Sequence, residues 1–143
     1  MNDDTIRLLR ECNVGIKMGV SSLEDVLDKV QGQDLKTLLL QSKATHTKLG
    51  NKTHEYLNEY HDDGKEPAAL AKVMAKLKTN LKLDDDGPDT TIADLITDGC
   101  NMGVKSLHKY INKYPAAEEK VIRLAKEVAD AEETLVKELQ DYL

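Results

Sequence analysis

Two stretches of this chain, Ile6 to Val30 and Ala93 to Tyr114, are built to one plan, and that repeat constrains the fold most. In the first, Ile6, Leu9, Asn13, Ile16, Val20, Leu23, Leu27 and Val30 recur at alternating steps of three and four. Such spacing lays a single seam along a helix. Each run is followed by a second helical stretch that ends in Tyr-Leu.

Two matches define the duplication. Cys12-Asn13-Val14-Gly15-Ile16-Lys17 resembles Cys100-Asn101-Met102-Gly103-Val104-Lys105, and Gly19-Val20-Ser21-Ser22-Leu23 resembles Gly103-Val104-Lys105-Ser106-Leu107. The two registers differ by about one helical turn, so either keeps the buried face inward. The second also sets Val30 opposite Tyr114 at the turn, and it is the one expected to hold. Further on, Leu38, Leu49, Tyr56 and Leu57 match Leu124, Leu135, Tyr142 and Leu143, provided the second turn is slightly longer. Two similar hairpins that each expose an apolar face bury those faces against each other. The expected fold is therefore an all-α four-helix bundle in a single domain, with hairpin 1 over about 4–61, a crossover over about 62–89 and hairpin 2 over about 90–143.

Local signals set the boundaries. Asp3 or Asp4 suits the start of the first helix, acidic charge being favourable at the positive helix terminus. Gln31-Gly32-Gln33 marks its end, with Gly32 suited to a left-handed cap and Asp34 able to start the next helix. The second helix carries Leu35, Leu38, Leu39, Ser42, His46, Leu49, Thr53, Tyr56 and Tyr60 on one broad face. His61-Asp62-Asp63-Gly64-Lys65-Glu66-Pro67 breaks the pattern. A short amphipathic helix follows, with Leu70, Val73, Met74, Leu77 and Leu81 inward and Lys72, Lys76, Lys78 and Lys82 mostly outward. Asp84-Asp85-Asp86-Gly87-Pro88-Asp89 is not a calcium loop, because the twelfth position, which needs a bidentate Glu, holds Leu95. It reads as a linker that caps the third helix through Asp89 or Thr90. Pro115 ends that helix near Tyr114 and suits the first turn of the fourth, whose inward residues are Val121, Leu124, Val128, Ala131, Leu135, Leu139 and Tyr142.

Composition narrows the function classes. The chain has 143 residues, a net charge of -6, no Phe or Trp, and five Tyr, so its core must be largely aliphatic. The acidic balance argues against nucleic acid as a partner, which requires a basic face. No apolar run approaches the roughly 20 residues that span a bilayer, and no signal sequence follows the acidic start, so a cytoplasmic location is expected. Cys12 and Cys100 are too few for a disulfide framework and lack redox-motif spacing, so two small buried thiols are expected.

Hairpin, long crossover with a short helix, then hairpin resembles the ferritin-like fold. Asp34-Leu35-Lys36-Thr37-Leu38-Leu39-Leu40, then Leu49 and Leu57, is similar to the second helix of small bacterial ferritin-like proteins of unassigned function. In catalytic members two helices each supply a Glu and the other two each supply Glu-x-x-His, all pointing inward. This sequence departs from that set at every helix. His46 fits a histidine place, but Lys43 stands three residues earlier; the repeat puts Glu132 at the matching place, with Ala129 before it. The paired seam positions of the first and third helices are Asn13 and Thr97, while Glu11, Glu24, Asp94 and Asp98 lie off the main seam. No intact di-metal centre is expected.

His46 and Glu132 remain the candidates for a polar pair within the bundle, or for an atypical metal site. His54 and His61, at a seven-residue step, and the isolated His108 read as surface residues. Gly15, Gly19, Gly99 and Gly103 sit inside helices, where glycine costs about 1 kcal/mol relative to alanine. The expected return is close helix approach, of the first helix on the third or between subunits.

The expected function is a non-catalytic ferritin-like bundle acting as an oligomeric or partner-binding scaffold, a homodimer in its simplest form, with no cofactor. One alternative is a metal-binding or oxidoreductase protein using His46 and Glu132 with iron, manganese or zinc. The other is a peripheral envelope- or spore-associated protein using the lysine-rich crossover helix.

Overall fold

The computed structural model describes residues 3–62 and 88–143. Four helices build it: α1 (Asp3–Leu27), α2 (Gln33–Glu59), α3 (Pro88–Lys113) and α4 (Glu119–Leu139), with a short 3-10 turn at Gln140–Tyr142. No strand occurs among the described residues. The fold is the all-α four-helix bundle of two antiparallel hairpins, α1 with α2 and α3 with α4. The short helix expected over 70–81 falls outside the described residues.

Hydrogen bonds at the two ends fix the helix directions. At the top, the Asp89 carboxylate in the first turn of α3 accepts from the backbone N–H groups of Gln31 and Gly32, both at 2.8 Å, in the α1–α2 turn. At the base, Asp4 accepts from Ala116 N–H at 3.1 Å, and the Thr5 hydroxyl accepts from Glu118 N–H at 2.9 Å in the α3–α4 turn. So α1 and α4 run upward and α2 and α3 downward, and the connection between α2 and α3 begins at the base and ends at the top. These two clamps are mates under the repeat. Thr5 stands to Asp89 as Gly19 stands to Gly103, and Glu118 stands to Gly32 as Glu132 stands to His46. Gly32 and Glu118 are, respectively, the residues that open α2 and α4.

Three boundary expectations change. Gly32 has φ -77 and ψ 134, extended rather than left-handed, and serves as the N-cap position of α2. The left-handed residue is His61 instead, with φ 57, just past the end of α2. There His61 N–H donates to Asn58 O at 3.1 Å and Asp62 N–H to Leu57 O at 2.9 Å, which satisfies two terminal carbonyls. Pro115 lies in the turn, and α4 starts only at Glu119. Asp89 does sit at the start of α3, but its carboxylate serves the turn of the other hairpin.

The buried residues form two apolar clusters. The basal one gathers Leu8, Leu9, Cys12, Ile16, Leu49, Leu57, Leu107, Val121, Leu124 and Val128. The upper one gathers Leu23, Val26, Leu35, Leu39, Ile92, Ile96, Cys100, Leu135 and Leu139. Burying each large aliphatic side chain contributes about 1.5–3 kcal/mol, so these clusters drive the assembly. The seam read for α1 proves too narrow: Leu8, Cys12 and Val26 are fully buried, whereas Ile6 and Leu27 are half-buried. The cause is that α1 packs against α2, α3 and α4 at once, so its buried face is broad.

Candidate functional site

Between the two clusters lies a polar layer made of His46 from α2 and Glu132 from α4. Their side chains are only 2% and 6% exposed, and His46 Nε2 stands 3.8 Å from Glu132 Oε1. Glycines on the facing helices create the space. A Cβ on Gly19 would come within 2.9 Å of His46 Cδ2, and a Cβ on Gly103 would overlap Glu132 Oε2. Gly19 therefore receives the imidazole and Gly103 the carboxylate, which corrects the expectation that these glycines bring helix backbones together. The α1–α2 approach instead uses Gly50, which the sequence reading passed over; its Cβ would meet Ile16 Cγ2 at 3.1 Å. Gly15 and Gly99 face open space.

Sequence reasoning brought His46 and Glu132 to matching places, and the structure puts them side by side. It does not bring Asn13 and Thr97 to them. Each lies six residues before its notch glycine, about 9 Å along the axis at 1.5 Å per residue. Because α1 and α3 run in opposite directions, Asn13 falls on the basal side of the pair and Thr97 on the upper side. Asn13 is buried, and the Thr97 hydroxyl is buried with no hydrogen-bond partner among the described residues. The alternative register, Cys12-Asn13 with Cys100-Asn101, equates buried Asn13 with exposed Asn101, and so it fails.

The hydrogen bonding of the pair is one-sided. His46 Nδ1 lies 2.8 Å from Ser42 O, and since a carbonyl only accepts, Nδ1 carries a proton. In its neutral form the ring then presents a lone pair at Nε2 toward Glu132. Glu132 Oε2 is buried and has no hydrogen-bond partner among the described residues. Burial pushes the Glu132 carboxyl above its ordinary value, only partly offset by His46. Burial alone would lower His46, but the adjacent Glu132 carboxylate and the Ser42 carbonyl outweigh it and hold the ring above its ordinary value. The layer therefore favours holding a proton.

A groove of about 350 Å³ opens onto this layer between α1 and α3. Met18, Leu23, Leu95, Ile96 and Met102 line its walls, Asp98 stands at its exposed rim, and His46 and Glu132 form the polar floor. Its volume is in the ~300–1,000 Å³ range of small-molecule sites. Cys100 also lines the groove, but burial and the Glu132 charge push its thiol up to about 12, so it is a thiol rather than a thiolate. Cys12 is buried in the basal cluster and also pushed up to about 12 by burial and by Glu11. Both cysteines are free.

The ligand set of catalytic ferritin-like proteins does not fit these residues. Two bridged metal ions need several carboxylates converging on one level, and this level offers one carboxylate and one imidazole. Among the described residues, no group of three or more His, Cys, Asp or Glu side chains is placed to hold a metal ion. Glu24, Asp94 and Asp98 are exposed, and Glu11 is half-buried elsewhere on α1 beside Tyr110. His54, His61 and His108 are exposed. No helix among the described residues is long and apolar enough to cross a membrane.

No family model matches the chain, and no curated protein matches it by sequence. The fold does have a counterpart among solved structures. It is similar to a crystal structure of a DUF305 fragment from Deinococcus radiodurans, with a TM-score of 0.79 and 12% sequence identity. The match covers 98% of this chain and 95% of that one. At that identity the likeness extends to the fold alone: this chain has the four-helix architecture of the DUF305 fragment.

Proposed function

We propose that this chain is a non-catalytic ferritin-like bundle that serves as a binding scaffold, working as a homo-oligomer, most simply a dimer, in the cytoplasm. The observation that carries this reading is the make-up of the central layer. One histidine and one glutamate meet there, while Asn13 and Thr97 stand off on opposite sides, so among the described residues the level lacks the carboxylates that a di-metal reaction needs. Both thiols are held in their unreactive form.

A second reading, a single iron, manganese or zinc ion held by His46 and Glu132, draws support from one specific feature. Nε2 and Oε1 face each other at 3.8 Å, too far for a hydrogen bond, and both are ligand atoms. Metal analysis of protein purified without chelator separates the two. The scaffold reading expects well under one metal per chain; a stoichiometric, tightly held ion would overturn it in favour of the second. Light scattering on the same sample tests the oligomer, and a monomer at high micromolar concentration would remove that part. The lysine-rich segment behind the envelope or spore reading lies outside the described residues.

A further inference from the structure

We propose that the groove between α1 and α3 is a binding site for a small apolar organic ammonium ion, whose charged nitrogen sits on Glu132 and His46. The proposal rests on treating that pair as a binding element and not as metal ligands.

The chemistry of the floor selects the ligand. It presents acceptors: Glu132 Oε1, Glu132 Oε2 and, in neutral His46, the Nε2 lone pair. His46 commits its Nδ1–H to the Ser42 carbonyl, so the proton that an arriving ammonium displaces is the one the layer holds between Nε2 and Glu132. An alkylammonium group carries three N–H donors, no acceptor and one positive charge, so it complements this set. Glu132 Oε2 is the decisive atom. It belongs to a side chain more than nine-tenths buried, it has no hydrogen-bond partner among the described residues, and it lies where the groove meets the Gly103 notch. A buried acceptor left without a partner is costly, and a donor entering along the groove removes that cost.

The walls and rim select further. Met18, Met102, Leu95 and Leu23 offer apolar and thioether surface to a hydrocarbon tail, and methionine adapts to irregular shapes. Asp98 at the rim adds negative charge in the path of an arriving cation. Gly15 and Gly99 keep the groove open, since nothing lies within 4 Å of a Cβ at either position. A metal ion would use the same acceptors but none of these walls.

The test is calorimetric titration of the full chain, freed of metal by dialysis against chelator, with n-hexylammonium, 1-hexanol, hexanoate and, separately, Zn2+. The proposal expects one hexylammonium per chain, at least tenfold tighter than hexanol, with hexanoate not binding. E132Q keeps the shape but removes the charge, and should weaken hexylammonium binding at least tenfold. G99L should fill the groove without touching the pair, abolishing binding while leaving the melting temperature unchanged or raised. Equal binding of hexanol, wild-type affinity in E132Q or in a folded G99L, or no saturable binding at millimolar concentration would each overturn the proposal. Absence of both amine and Zn2+ binding would sink the ligand site yet leave the scaffold reading standing. Stoichiometric Zn2+ binding without amine binding would sink both and favour the single-metal reading.

Discussion

The two hairpins solve one packing problem with different chemistry. In hairpin 1, Gly19 of α1 opens a notch for the side chain of His46; in hairpin 2, Gly103 of α3 opens the equivalent notch for Glu132. The backbone plan is the same, and so is the end clamp, with Thr5 holding the turn of hairpin 2 and Asp89 that of hairpin 1. The clamp residues differ in kind, a hydroxyl against a carboxylate, and the occupants of the central notches differ more deeply. The difference has a physical logic. Residues equivalent under a pseudo-twofold are brought together near its axis, and two identical carboxylates there would repel in a desolvated layer. A histidine facing a glutamate can instead share a proton. Unlike residues at this level thus allow a bundle of two similar hairpins to carry a polar group in its middle.

The largest expected effect comes from breaking that complementarity. H46L leaves Glu132 buried without its partner, and chemical denaturation at pH 8 should show a loss of about 3–5 kcal/mol. The double variant H46L/E132L exchanges both for apolar groups and should lie within about 1 kcal/mol of wild type, or above it. If H46L costs no more than the double variant, the two notches are energetically independent and the comparison collapses to a coincidence of sequence.

pH sharpens the same point. Both groups bind protons more tightly in the folded chain than at their ordinary values of 4.5 and 6.5. The folded state therefore keeps protons that the unfolded chain releases, first as the pH passes the ordinary carboxyl value and again as it passes the ordinary histidine value, and stability falls as the pH rises through each window. Measured against H46L/E132L, wild type should lose ground from about pH 4.5, and further from about pH 6.5, until the folded groups have titrated. A flat difference would mean that the layer holds no extra proton.

Glycine substitutions probe the notches themselves. G19A drives a methyl group into the His46 ring, which Ser42 pins, and should cost about 1–3 kcal/mol by overpacking. G103A meets the movable end of Glu132 and should cost less. G15A and G99A meet nothing and should stabilise by up to about 1 kcal/mol, the ordinary gain in helix propensity. Thermal melts of the four variants should rank in that order. Equal effects at Gly15 and Gly19 would show that the notch is not needed.

Smallest of all should be the clamps. T5A and D89A each remove a side-chain acceptor from a turn, worth about 1 kcal/mol apiece. Similar losses would extend the likeness of the hairpins to their ends.

Much of this was legible in the residues. The repeat announced two hairpins, and the register anchored on Gly19 and Gly103 placed His46 and Glu132 as equivalents. What escaped depends on direction and on neighbours. Asn13 and Thr97 read as companions of the pair because a seam shows spacing but not which way each helix runs; once α1 and α3 oppose each other, equal steps carry them apart. The breadth of the α1 face was hidden because periodicity reports one preferred side, whereas α1 meets three partners. Gly32 looked like a left-handed stop because its true constraint, the Asp89 carboxylate, arrives from the far side of the crossover. The groove left no direct sequence signal beyond its glycines, which suggest equally well a close approach and a gap.

The paired end clamps carry a consequence for how the chain folds. Each hairpin's turn has backbone N–H groups that donate to a side chain of the other hairpin, and each clamp residue finds its turn only after the other half has arrived. Neither half can finish alone, although most contacts within each hairpin are local. The expected behaviour is early, fast formation of two incomplete hairpins, followed by a single docking step that locks both ends together. Such reciprocity leaves little room for a stable half-folded molecule.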